Sequence, residues 1–456
     1  MIKVRFAPSP TGHIHIGNIR VALFNWLYAQ AHKGMFILRY DDTDFERSKK
    51  EYVDGIMVDL KWLDIHPDEI YFQSERFHRY DEVAEILKKK GLLYPCYETE
   101  EELERRRKMQ ILRRRPPVYD RAALKLTEGD KKLLEDQGRR PHWRFLLPNF
   151  ENNPFQIKRT EVCWEDVVKG KQAVDLSSLS DPILIREDGS YLYTLPSVVD
   201  DIDMGITHII RGDDHITNTG TQFAILKALN AQLPTVGHIN LLTTVSGKGL
   251  SKRNSDLSIR SLREEGFEPA AIQCLAVLTG TSSNVQAYRD QKSLLKHFNL
   301  QNTSKSAAKF SVVDLVSLNS HFVRDLTYEE VRNRLEDLCI NGEKAENFWN
   351  AIRGNIDKVN DAVLWWDIIH SSKAFGTVPL EDHVFVRQSA ALLPEGALND
   401  DSWKIWTTTL KERTGRQGRS LFMPLRQALT GREHGPEMGK ILPLLGRERV
   451  INRLNI

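Results

Sequence analysis

The feature that most constrains the fold is a turn near the amino terminus, Phe6-Ala-Pro-Ser-Pro-Thr-Gly-His-Ile-His-Ile-Gly-Asn18. Before it, Lys3–Phe6 alternates basic and apolar residues, the period of a strand. Two prolines and a glycine then stop the strand. From Ile16, apolar residues recur every three or four positions (Ile16, Ile19, Leu23, Trp26, Leu27), which predicts a helix with Gly34 as its C′ glycine. Residues 36–40 return to an apolar strand. The unit is βαβ, with its turn at the carboxyl end of the first strand, where open α/β sheets bind ligands. His13 and His15 lie in that turn, and Gly17 lets a ligand approach the backbone closely. Free N–H groups at a helix start favour phosphate. The plainer alternative has one imidazole capping the helix and the other solvated.

At 456 residues the chain holds several domains. A hydrophobic content of 41% and a charged content of 28% suit a soluble globular protein. No apolar run reaches membrane-span length and no signal-peptide pattern opens the chain. Cys96, Cys163, Cys274 and Cys339 show no paired spacing, which fits a reducing cytoplasm. A net charge of +2 means that any nucleic-acid surface is a local patch.

Pro8-Ser-Pro-Thr-Gly-x-x-His15-Ile16-Gly17-Asn18 resembles the first signature of class I aminoacyl-tRNA synthetases, in the form carried by bacterial-type glutamyl-tRNA synthetases. The second signature should follow some 230 residues on, and Gly249-Leu-Ser-Lys-Arg253 stands there, with Gly249 where the family has Lys and Lys248 just before it. The resemblance runs through nearly the whole chain. It implies an α/β nucleotide-binding (Rossmann-like) catalytic domain with an α/β insertion, followed by an all-α C-terminal anticodon-binding region. The expected boundaries are 1–82 and 191–242 for the two catalytic halves, 83–190 for an inserted acceptor-stem domain, 243–308 for a stem-contact domain carrying the second signature, and 309–456 for the helical anticodon-binding domains.

The same resemblance assigns residues. His13, His15 and Lys252 handle phosphate in catalysis; Gly17, Asn18, Asp213, Lys248, Ser251 and Lys252 meet ATP. Arg5, Ala7, Ser9, Asp41, Tyr193 and Arg211 hold glutamate, with Asp41 on the amino group and Ser197 where some relatives have Asn. The residue chemistry agrees. Glutamate has two carboxylates, and Arg5 and Arg211, from two strands of one sheet, supply fixed positive charge. A guanidinium that must face an anion rejects glutamine without an editing domain. A glycine-bearing loop with Lys248 and Lys252 suits closure over a triphosphate. Asp42 and Asp44 are expected to order the turn after the second strand. ATP with Mg²⁺, tRNA and L-glutamate are the implied cofactors and partners, in a cytoplasmic monomer that needs bound tRNA before activating glutamate. Some relatives carry zinc in the insertion, but Cys96 alone cannot make the usual structural site, so no metal is expected.

Residues 100–115 read as a helix with seven cations in its last eleven positions, from Arg105 to Arg115. A solvated face is the commoner meaning of a charge run. Here Arg113, Arg114 and Arg115, ahead of a family-like Pro-Pro-x-Tyr-Asp turn, suit RNA phosphates. Residues 71–80 read as a helix start with Ser74 as N-cap, and 155–160, 162–168, 181–186 and 191–195 as strands of the insertion. Beyond residue 259 the pattern is helical, including 328–338, 347–364 and 380–393, and Phe422, Met423, Leu425 and Leu429 read as core. Three other readings compete: a shortened relative that glutamylates a tRNA base, which would lack these helical domains; a glutaminyl enzyme, which should end in β-barrel patterning; and a catalytically dead RNA-binding module, favoured by Gly249.

Overall fold

The computed structural model describes residues 1–114, 116–244, 247, 257–371 and 378–455. Arg115, Lys248, Gly249, Ser251, Lys252 and Arg253 lie outside the described residues. The chain forms two compact units, residues 1–261 with 273–311, and residues 262–272 with 312–456.

In the first unit, β1 (Lys3–Phe6) and β2 (Met35–Tyr40) run parallel and are joined by α1 (Ile16–Ala31). Phe36, Ile37 and Leu38 are fully buried, as in a sheet covered on both faces. The left-handed residue after α1 is Lys33 (φ 52°), not Gly34. Gly34 is needed for space: a Cβ there would lie 2.5 Å from the Ile2 carbonyl oxygen. After α2 (Lys50–Trp62), β3 (Glu69–Phe72) pairs parallel with β2, and α3 (Phe77–Lys89) follows. Ser74 is therefore not an N-cap. Its N–H and hydroxyl donate to Asp42, at 2.8 and 2.6 Å, so Asp42 orders the turn beside β2. Asp44 does likewise through Arg47.

The insertion begins with β4 (Leu93–Cys96), α4 (Glu100–Leu112) and α5 (Glu128–Asp136). Strand β5 (His142–Phe145) follows, then the hairpin β6 (Glu161–Asp166) and β7 (Gly170–Asp175), then β8 (Ile183–Ile185). Strands β4, β5 and β8 form an antiparallel sheet. Residues 155–160 are not a strand, and at 191–195 only a one-residue bridge at Tyr191 precedes α6 (Thr194–Asp203). Pro196 sits in the first turn of that helix, where a missing N–H costs nothing.

Strand β9 (His208–Gly212), α7 (Ile216–Ala228) and β10 (Thr235–Ile239) complete the parallel fold. Strand β10 pairs with both β9 and β6, so β6 belongs to this sheet and not to the insertion's own. Lys3 and Thr207 exchange hydrogen bonds where β9 begins beside β1. The strands thus lie in the order β3-β2-β1-β9-β10-β6-β7, and chain order reverses between β1 and β9. That reversal is the ligand crevice of a doubly wound sheet. The unit ends with β11 (Leu242–Thr244), which pairs with β12 (Ala308–Phe310).

From Val312 onward the described residues form helices and turns only. The core of this second unit includes the fully buried Trp349 and Trp406, whose indole N–H groups donate to the Leu326 and Ser389 carbonyls. The helix expected at 347–364 is two, Ala345–Ile352 and Ala362–His370, interrupted at Gly354. The helix Arg419–Thr430 buries Leu425 and Leu429, but Phe422 is 44% exposed and is not core. No described helix is long and apolar enough to cross a membrane.

Candidate active site

A cavity of ≈ 490 Å³ opens at the carboxyl ends of β1 and β9. All six residues assigned to glutamate line it: Arg5, Ala7, Ser9, Asp41, Tyr193 and Arg211. His15, Gly17 and Asn18 line it as well. Two expected residues do not. His13 is exposed, with its ring edge-on to Tyr52. Asp213 accepts from Lys169 Nζ at 2.6 Å, while its neighbours Asp214 and His215 face the cavity.

The wall beneath β1 is a closed ion network that sequence reading missed. Arg39 is fully buried and donates to Asp41 (2.7 Å) and Asp201 (2.8 Å). Arg5 also donates to Asp201, at 3.1 and 3.4 Å. Burial opposes the Arg39 charge, but Asp41 and Asp201 outweigh it and hold its pKa well above the ordinary value. Burial pushes the Asp41 carboxyl up, against the pull of Arg39. Asp201 is also opposed by burial, yet Arg5 and Arg39 hold it below the usual range. Ser197 lies behind this network, its Oγ accepting from Arg39, and does not line the cavity.

Arg211 is different. It is 5% exposed, and none of the described carboxylates pairs with it. Its partners are neutral: the Tyr193 hydroxyl at 3.2 Å, Thr219 Oγ1 at 2.7 Å and His238 Nε2 at 3.5 Å. Burial, aided by the charge of Arg5 and opposed by Tyr193 and the more distant Asp201, lowers its pKa. A buried cation held only by neutral groups is a receptor for an anion. Arg20, on the same cavity, is a second such cation. It is held by the Ala276 and Thr279 carbonyls and Asn240 Oδ1, and burial lowers it to about 9.

His15 is the N-cap of α1. Its Nδ1 accepts from Gly17 N–H, and its own N–H donates to Asn18 Oδ1, a reciprocal capping box. Gly17, Asn18 and Ile19 all donate their N–H groups to His15, so this helix start is not the bare phosphate cradle expected. The consequence is tautomeric: with Nδ1 accepting, the neutral ring carries its proton on Nε2 and presents a donor there. Asn18 earns its place in the signature through the cap.

On α4, Arg106 pairs with Glu98 and Asp120, and Lys108 with Glu104. Arg105, Arg107, Arg113 and Arg114 are exposed and show no ion pair among the described residues. The sequence reading left Cys96 isolated. The fold sets it opposite His142 across β4 and β5, and Cys96, Glu98 and His142 bring three donor atoms within 4.8 Å. Tyr119 donates its hydroxyl to Glu98 at 2.7 Å and lies 3.7 Å from Cys96 Sγ. Burial pushes the Cys96 thiol up to about 12. Among the described residues these three donors fall short of the four that a structural zinc takes.

Comparison with known proteins places these features. The family described as tRNA synthetases class I (E and Q), catalytic domain, matches residues 1–317, and an anticodon binding domain matches residues 385–456. Glutamate–tRNA ligase 2 of Bartonella bacilliformis is 75% identical over 456 residues, covering 100% of both chains. Glutamate–tRNA ligase 1 of Brucella ovis is 57% identical, covering 99% of both. A crystal structure of a glutamate tRNA ligase from Elizabethkingia meningosepticum, in complex with its amino acid, aligns with a TM-score of 0.84 at 26% identity, covering 100% of this chain and 98% of that one.

Proposed function

The chain belongs to the class I tRNA synthetases of the E and Q family, and from that membership we propose how its residues divide the work of a glutamate–tRNA ligase. The enzyme activates L-glutamate with ATP to glutamyl-adenylate and transfers the glutamyl group to the 3′ end of tRNA(Glu). The observation that carries the residue assignment is Arg211, a buried guanidinium without a carboxylate partner on the cavity wall.

In this reading Arg211 and Tyr193 receive the substrate's side-chain carboxylate. Arg5 borders the same end, but Asp201 already neutralises it, so its share is smaller. Asp41, held by Arg39, faces the ammonium group. The α-carboxylate oxygen then attacks the α-phosphorus of ATP, and the bond to the bridging oxygen breaks with loss of pyrophosphate. His15 offers an Nε2–H donor to the phosphates; Lys252 and Lys248 of the second signature supply positive charge, with Ser251 beside them. Mg²⁺ accompanies ATP and shields its charge. A terminal ribose hydroxyl of tRNA next attacks the carbonyl carbon and AMP leaves. No side chain becomes covalently bound; catalysis is positioning plus charge neutralisation. Arg113 and Arg114, with the Arg105 face of α4, take RNA phosphates. The protein acts as a cytoplasmic monomer without structural zinc, the last supported by the donor count at Cys96.

Incubating enzyme with glutamate, ATP and tRNA tests the activity: charged tRNA is expected, and no product with any tRNA overturns it. The relatives bear the numerals 1 and 2, which favours a second reading in which tRNA(Gln) is charged as well. Transcripts of both tRNAs assayed side by side decide between the two.

A further inference from the structure

Three adjacent strands carry Asp166, His238 and Arg211 side by side. Asp166 ends β6 next to β10, and His238 on β10 stands in register with Arg211 on β9. All three are buried, at 2%, 0% and 5% exposure. Asp166 Oδ1 accepts three backbone N–H groups, from Val168, Lys169 and His238, at 2.9–3.1 Å. Its Oδ2 meets His238 Nδ1 at 2.5 Å. On the other side of the ring, Nε2 lies 3.0 Å from Thr219 Oγ1 and 3.5 Å from Arg211 Nε.

The Thr219 hydroxyl has two acceptors in reach, His238 Nε2 at 3.0 Å and the His215 carbonyl at 3.2 Å, and the Arg211 contact selects between them. A guanidinium only donates, so Nε2 must be the acceptor. The ring is then neutral with its proton on Nδ1, donated to an ionised Asp166. Burial raises the Asp166 carboxyl, but the bonds from His238 and Lys169 outweigh it and leave it at about 2. Thr219 closes the circuit by accepting from Arg211 Nη2 at 2.7 Å.

We propose that Asp166 and His238 are positioning residues for amino-acid recognition, fixing the plane of the Arg211 guanidinium by presenting it with a lone pair instead of an N–H. The inference rests on the reading of Arg211 as the carboxylate receptor.

Asp166→Asn tests it at constant size. The three backbone donors keep the carboxamide oxygen, so its NH₂ must face Nδ1. The imidazole proton then moves to Nε2 and points at the donors of Arg211, the reverse of what the guanidinium requires. The KM for glutamate is expected to rise roughly 10-fold or more while the KM for ATP stays within about 2-fold. Nitrogen NMR of the ring should show Nδ1 protonated in the native protein and Nε2 protonated in the variant. His238→Gln, whose carboxamide oxygen can replace the acceptor, should keep more glutamate affinity than His238→Leu. If Asp166→Asn does not fold, the native NMR spectrum and Thr219→Val, expected to raise the glutamate KM selectively, decide. A native ring protonated on Nε2, or glutamate and ATP KM values rising together, overturns the proposal. Arg211→Ala separates the two layers: a wild-type glutamate KM there sinks the receptor reading itself. A raised KM there with no effect of Asp166→Asn sinks only the relay.

Discussion

Arg121, in the inserted domain, and Arg211, at the switch point of the parallel sheet, are both withdrawn from water, with 1% and 5% of their surface exposed. Arg121 forks onto both oxygens of Asp181 at 2.8 and 2.9 Å and also reaches the Leu147 and Pro154 carbonyls and Asn149. Asp181 takes two further donors, Tyr94 hydroxyl and Leu147 N–H. Every charge there has its counterpart inside the protein. Arg211 has three neutral partners and, among the described residues, no carboxylate in contact. The contrast separates a cation that holds the fold together from one that the fold holds ready. The first sits where removal leaves a buried carboxylate stranded; the second sits on a cavity large enough for the missing anion.

The largest expected effect follows from the first site. Arg121→Ala should cost about 3–5 kcal/mol in denaturant unfolding, because Asp181 is left buried and unpaired. A loss below about 1 kcal/mol would erase the distinction. Arg5→Ala probes an intermediate case, since Asp201 keeps Arg39 as a partner. It should lose about 1–3 kcal/mol of stability and raise the glutamate KM less than Arg211→Ala does. A larger KM effect at Arg5 would transfer the receptor role to β1.

Much of this site was legible from short-range pattern, and the rest depended on contacts that no local pattern encodes. Period, proline and glycine located β1, α1 and β2, and the family resemblance placed Arg5, His15, Asp41, Tyr193 and Arg211, all of which line one cavity. The Arg39–Asp201 bond joins residues 162 apart, and His238–Asp166 joins residues 72 apart. Which of two neighbours lines the cavity was not legible either. His13 and His15 differ by which way the chain enters α1, and Asp213 and Asp214 by a single short turn after β9. Strand β6 was assigned to the insertion because sequence proximity says nothing about pairing with β10.

Acidification should have a smaller effect, with its sign set by two imidazoles, His142 buried and His215 half-buried. Burial, aided by Arg144, lowers His142 to about 4; burial, aided by Arg211, lowers His215 to about 4. Between the ordinary value near 6.5 and about 4, the unfolded chain binds protons that the native state refuses. Stability should therefore fall as pH drops through that window, measured by urea unfolding at pH 7 and pH 5; a flat or rising profile would contradict the two shifts. Smallest of all should be the effect of chelation. EDTA should leave the thermal midpoint unchanged and elemental analysis should find no stoichiometric zinc, whereas a lowered midpoint would make Cys96, Glu98 and His142 a metal site.

The most direct test is Arg211→Ala assayed with glutamate and glutamine in the presence of ATP and tRNA, alongside its unfolding midpoint. The account predicts a glutamate KM raised on the order of 10²-fold, weakened rejection of glutamine and an unfolding midpoint at or above that of the native protein. Native kinetics for both amino acids, or a protein that no longer folds, would contradict it.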